Sequence, residues 1–159
     1  MRFLRTDTGV VELREMHPFF AGLVAELPRV AARHEKAQSR LYPDPAGDGA
    51  DQELRRDWEE HVRPGLEKLF AASREIVAGD VASMRPDQED NRLVIPRDHI
   101  DAWLNALNQA RLAIVEENGF VEADLDHREP PDLGTPRGLL LLKVHFYAHL
   151  QELLVEAIG

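Results

Sequence analysis

Between Pro96 and Gly119 the chain reads Arg97-Asp98-His99-Ile100-Asp101-Ala102-Trp103-Leu104-Asn105-Ala106-Leu107-Asn108-Gln109-Ala110-Arg111-Leu112-Ala113-Ile114-Val115-Glu116-Glu117-Asn118. Turned through about 100° per residue, Ile100, Trp103, Leu104, Leu107, Ala110 and Ile114 share one arc. The spacing predicts a helix over about 97–118, ended by Gly119, which suits the left-handed position just past a helix. Arg111 breaks the pattern because it falls inside the apolar arc. A guanidinium there must snorkel or meet an acid, since burying it unpaired is costly. We expect Arg111 to be mostly buried and paired with an Asp or Glu of another helix. Asn108 flanks the arc and Asn105 lies farther round, so Trp103, Asn105, Asn108 and Arg111 form a candidate polar network. Such a network ties helices together; the alternative is an anion site in which the Arg111 fork takes a carboxylate ligand. No glycine-rich phosphate loop accompanies it.

Working outward, the segment after about 139 repeats Phe146, Leu150, Leu153 and Ala157 on one stripe and predicts a last helix over about 139–158. Before the central helix, a segment over about 51–78 carries Leu54, Trp58, Val62, Leu66, Leu69, Ile76 and Val77 toward a core, with Pro64 expected to kink it. A first helix over about 17–38 starts at His17-Pro18 and repeats Phe20, Leu23, Val24, Leu27, Val30 and Ala31, with a kink or a split expected at Pro28, the split preferred. YPDPAGDG, 42–49, holds too many turn residues for regular structure and reads as a loop. At the N-terminus, β-like runs flank Thr6-Asp7-Thr8-Gly9, giving a hairpin over about 2–13; Arg92-Leu93-Val94-Ile95 is a candidate third strand on its edge. The expected fold is mainly α with a small β element: a single-domain helical bundle over 1–159 with an N-terminal hairpin and that candidate third short strand. No internal repeat points to a solenoid.

Composition narrows the function classes. With 29 acidic and 19 basic residues the net charge is -10, which repels phosphate backbones, and the cations are scattered, so no nucleic-acid partner is expected. Cysteine is absent; disulfides and thiolate metal sites are excluded, and a cytoplasmic location is the expectation. The N-terminus lacks the pattern of a signal peptide. The longest apolar runs, such as 139–142, fall far short of the roughly 20 residues a bilayer needs, so no membrane partner is expected.

On the last helix His145, His149, Glu152 and Glu156 align at i, i+4, i+7 and i+11. His145, His149 and Glu152 are a weak zinc alternative, without the His-Glu-x-x-His pattern of metalloproteases, and the stripe otherwise reads as the solvated or partner-facing side of the helix. Lys143 lies nearer the apolar face. Ser39, Ser73 and Ser83 sit in no nucleophile motif, and 29 acids make too many chance pairs to read a carboxylate dyad. We therefore expect no catalytic residue, no cofactor and no stoichiometric metal.

Arg40-Leu41-Tyr42-Pro43-Asp44-Pro45, the run Ala102-Trp103-Leu104-Asn105-Ala106-Leu107-Asn108-Gln109-Ala110-Arg111-Leu112 and the terminal His149-Leu150-Gln151-Glu152-Leu153-Leu154-Val155 resemble the domain-of-unknown-function family two thousand and seventeen. The resemblance runs with gaps from about Arg40 to the C-terminus. It implies a small cytoplasmic bacterial protein, in some lineages encoded near the adaptor of the Clp protease, and no known reaction or catalytic residue. The leading expectation is a non-enzymatic protein-interaction or regulatory module with an unidentified protein partner and a link to Clp proteolysis implied by the resemblance. The alternatives are a small-molecule- or metal-binding enzyme and a structural helical homodimer. The acidic 121–138 connection, read as mobile, is a candidate rim for a basic partner.

Overall fold

Strands β1 (Arg2–Arg5) and β2 (Val11–Arg14) pair antiparallel with Phe3 opposite Leu13 and Arg5 opposite Val11. These assignments come from a computed structural model that describes residues 1–43, 51–84, 91–126 and 129–159. The hairpin turns at Gly9, whose φ of +82° a side chain would resist; its N–H donates to the Thr6 carbonyl at 2.9 Å. Strand β3 (Leu93–Ile95) joins the other edge of β2, so the sheet order is β1-β2-β3. Alternation puts Val11, Leu13, Leu93 and Ile95 on the buried face. On the opposite face Glu12 accepts from Arg14 at 2.8 Å and from Arg92 at 2.7 Å.

Helix α1 (Pro18–Ala32) opens with Pro18 in its first turn and the His17 ring nitrogen capping the Phe19 N–H at 3.1 Å. It continues unbroken through Pro28, so the split expected there does not occur. Proline removes one backbone donor, and the buried Val24, Leu27, Val30 and Ala31 hold the turns on either side of it. The break falls at Arg33–His34 instead, followed by a 3₁₀ turn at Glu35–Ala37 and the short α2 (Gln38–Leu41). Most of the expected 42–49 loop lies outside the described residues.

Helix α3 (Gln52–Asp57) is capped by the Asp51 carboxylate and flows into a π turn at Trp58–Val62, then into α4 (Arg63–Ala82). The π turn stands where the Pro64 kink was expected. Proline cannot donate to the preceding turn, and the widened ladder, with the Arg63 N–H on the Trp58 carbonyl, accommodates it. Not all of the side chains expected to face the core do so. Val77 is buried and Trp58 and Leu66 are partly so, but Leu54, Val62, Leu69 and Ile76 stand in solvent at 49, 44, 51 and 37% exposure.

Helix α5 (Ile100–Asn118) follows a 3₁₀ turn at Arg97–His99 and ends at Gly119, φ +63°, as its sequence predicts. Helix α6 (Pro136–Ile158) begins a turn earlier than about 139. Thr135 Oγ1 accepts from the Gly138 N–H at 3.0 Å, and Pro136 supplies a preset φ in the first turn. In the described part of the preceding connection Asp124 accepts from the Val121 N–H at 2.8 Å and from Arg137 at 2.5 Å, while Arg137 lies over the Phe120 ring.

α5 is central, packed against α1, α4 and α6, with Trp103, Leu107, Ala110 and Ile114 in the main core beside Tyr147 and Leu154 of α6. A second cluster of Ala37, Leu41 and Tyr42 packs against Trp58, Leu66, Phe70 and Leu112. The fold is mainly α with a three-stranded antiparallel sheet. No helix among the described residues is long and apolar enough to cross a membrane.

Candidate functional site

The polar side chains of α5 divide between two neighbours. Toward α4, the Trp103 indole N–H donates to Asp80 at 2.8 Å, and the same carboxylate lies 3.0 Å from His99 Nδ1. Asn105 donates to Ser73 Oγ at 3.3 Å, and Ser73 in turn donates to the Leu69 carbonyl at 2.9 Å. Gln109 accepts from Arg74 at 2.6 Å and donates to the Phe70 carbonyl at 3.5 Å. A buried polar group without a partner costs roughly 1–3 kcal/mol, and here each of these groups meets one. The seam docks two helices, and it leaves Ser73 bonded to a carbonyl and an amide rather than to a base that would activate it.

Toward α6 stands Arg111. It is half-buried, and its Nη1 donates to Gln151 Oε1, whose own amide donates to the Leu104 carbonyl at 3.3 Å. The expected Asp or Glu partner is therefore replaced by an amide, a neutral acceptor that needs less desolvation than a carboxylate. Burial pushes the Arg111 guanidinium below its ordinary pKa, opposed by the Glu152 charge nearby. Its Nε is buried and has no hydrogen-bond partner among the described residues. The side chain forms one wall of an open hollow of about 600 Å³ shared with Leu104, Ala148, Gln151, Glu152 and Val155.

The four expected network residues are thus not brought together. Trp103 and Asn105 serve α4, Arg111 serves α6, and Asn108 points to solvent. The residue missed by sequence is Gln109, which is 1% exposed although it lies opposite the apolar arc. A signal was present in Ala102, Ala106 and Ala113, which with Gln109 make a second buried row at i, i+4, i+7 and i+11. Small side chains let another helix approach, and α4 does so.

On α6, His149 and Glu152 are exposed and 3.8 Å apart, while His145 is half-buried. Among the described residues no group of three or more His, Asp or Glu side chains is placed to hold a metal ion. Lys143 pairs with Glu26 of α1 at 2.6 Å, its stem lying along the apolar face.

A family model described as Domain of unknown function (DUF2017) matches residues 7–158. No curated protein and no solved structure matches the chain.

Proposed function

Because the chain belongs to that family, whose description carries no reaction, we propose from the chain's own surface that it works by binding another protein rather than by catalysis. The observation that carries this reading is the outer face of α3 and α4, where Leu54, Val62, Leu69 and Ile76 stand uncovered. Scattered single apolar residues are ordinary; four in line along one helical run are what a binding face presents. The polar seam of α5 supports the same reading, since its groups are spent on holding helices together. The net charge of -10 favours a protein partner over a nucleic acid. The α3–α4 face suits docking better than the 121–138 connection, whose described residues are bonded to α6 and to each other. The proposal places this work in the cytoplasm, and the Clp association implied by the sequence resemblance makes protease and adaptor subunits the first partners to look for.

The test is affinity capture of the tagged protein from its native cells, read by mass spectrometry, beside a Leu69→Glu variant. A reproducible partner that is lost in the variant, while the thermal unfolding of the variant is nearly unchanged, is the expected result. A small molecule that co-purifies and is turned over, with no protein captured, would replace this reading. That second reading has its own motive in the Arg111 guanidinium, which forms one wall of an open hollow where a carboxylate-bearing ligand would meet its charge.

A further inference from the structure

The uncovered side chains of α3 and α4 are spaced as a seam. Val62, Leu69 and Ile76 follow one another at seven-residue intervals, and Leu54 stands eight before Val62. The eight is made good by the π turn at Trp58–Val62, which absorbs one extra residue and keeps Leu54 in the line. Three residues after Val62, Leu69 and Ile76 comes a small one: Gly65, Ala72 and Gly79, all exposed. A Cβ placed on Gly65 or Gly79 would meet nothing within 4 Å. Large and small positions therefore alternate as the a and d positions of a heptad.

That alternation selects a partner. In a parallel pair, large would meet large and small would meet small, leaving voids at every second layer. In an antiparallel pair about a two-fold axis between Phe70 and Ala71, each large side chain meets a small one: Val62 faces Gly79 of the second copy, Leu69 faces Ala72, and Ile76 faces Gly65. A two-fold contact is self-complementary, so every such meeting occurs twice.

Charge points to the same register. The residues preceding Leu69 and Ile76 are Lys68 and Glu75, and neither makes an ion pair within the chain among the described residues. In this antiparallel register Lys68 and Glu75 of the second copy share one flank, two residues out of direct opposition and within reach of their long side chains, and Glu75 meets the second Lys68 in the same way. The neighbouring Arg63 is already engaged by Glu59 and Glu67 on the inner flank, which leaves the outer flank to this pair.

We propose that the occupant of the α4 face is a second copy of this chain, packed antiparallel along Val62, Leu69 and Ile76 with two reciprocal Lys68–Glu75 pairs. The inference rests on the interaction reading above and names the partner for that face.

Sedimentation velocity of the full chain over a concentration series tests it, using Lys68→Glu, Glu75→Lys, the two variants mixed, and the double variant. The wild type is expected to dimerise. Each single reversal turns two attractions into two repulsions and should weaken the dimer about tenfold. The equimolar mixture and the double variant, which restore opposite charges in this register alone, should recover it. A dimer indifferent to both reversals, or one the mixture does not recover, overturns the register. A wild type monomeric throughout overturns the proposal, and capture with Leu69→Glu then separates two cases. If Leu69→Glu still loses a captured protein, the face serves a different partner and the interaction reading stands; if nothing is captured by either form, both fall.

Discussion

Two rows of small residues run along neighbouring helices, and they have opposite fates. On α5, Ala102, Ala106 and Ala113 are buried, and α4 reaches across to the same side to bond Gln109 through Arg74 and the Phe70 carbonyl. On α4, Gly65, Ala72 and Gly79 stay open, flanked by Val62, Leu69 and Ile76 in solvent. The covered row carries the polar Gln109 inside the protein, with partners; the open row carries apolar side chains outside it, with none among the described residues. The difference teaches that polarity of a residue does not settle its burial. What settles it is whether a second helix lies against that face, and for the α4 row none of the described residues supplies one.

The comparison breaks most visibly if the two faces contribute equally to stability. Trp103→Ala removes a fully buried ring and leaves Asp80 without its indole donor, so we expect a loss of about 3–5 kcal/mol in urea unfolding. Leu69→Ala, measured at concentrations too low for association, should cost less than about 1 kcal/mol because half of its surface is already in water. Comparable losses at both positions would show that the α4 face is covered within the monomer.

The buried row is sharpened by Gln109→Ala. It strips Arg74 and the Phe70 carbonyl of their partner, and we expect a loss of roughly 1–3 kcal/mol in the same assay. An unchanged midpoint would mean that water replaces the amide.

Glycines give a paired test of smaller size. A Cβ on Gly138 would lie 1.7 Å from the Asp132 carbonyl oxygen, in the turn that starts α6, so Gly138→Ala should lower the melting temperature through a forced backbone shift of roughly 1–3 kcal/mol. Gly65→Ala meets open space within a helical run and should stabilise the monomer by about 0.5–1 kcal/mol. The same substitution should weaken self-association, because Ile76 of a second copy would then meet a methyl group. Thermal melts at low concentration and sedimentation at high concentration separate the two effects.

The smallest effect concerns pH and lies on the sheet, away from both rows. The hydrogen bond from Arg92, opposed by burial and helped by Arg14, holds the Glu12 carboxyl below its ordinary 4.5. A depressed folded value means that this contribution is complete above the ordinary value and fades as the pH falls through the folded one. Melts taken at decreasing pH should therefore show the wild type losing more of its advantage over Glu12→Gln below about pH 4.5. A difference that stays constant into acid would remove Glu12 as a source of the acid response.

Much of the architecture was legible from spacing alone. Ile100 through Ile114 recur at the helical period, Gly119 closes that helix, and the hairpin and its third strand announce themselves by turn residues and β-branched runs. These signals are local, and local propensity reaches only a few residues along the chain. Further local signals lie at Thr135-Pro136, a capped helix start, and in the alanine row around Gln109. The polar network was half legible: Arg111 does belong to an inter-helix contact, but its acceptor Gln151 lies 40 residues away and carries no charge by which a sequence could nominate it.

By itself, then, the sequence determined which segments are helix or strand and one apolar side of each, because backbone dihedrals and side-chain periodicity respond to near neighbours. Tertiary structure alone decided which sides are covered. Helix packing brought α4 onto the alanine side of α5 and buried Gln109 there, left Leu69 and Ile76 of α4 in water, and separated Trp103 from Arg111 onto two different partners. The physical reason is that burial belongs to pairs of surfaces: a face is hydrophobic by its own residues, but it is buried only by another element, and which element arrives is set by packing across the whole chain.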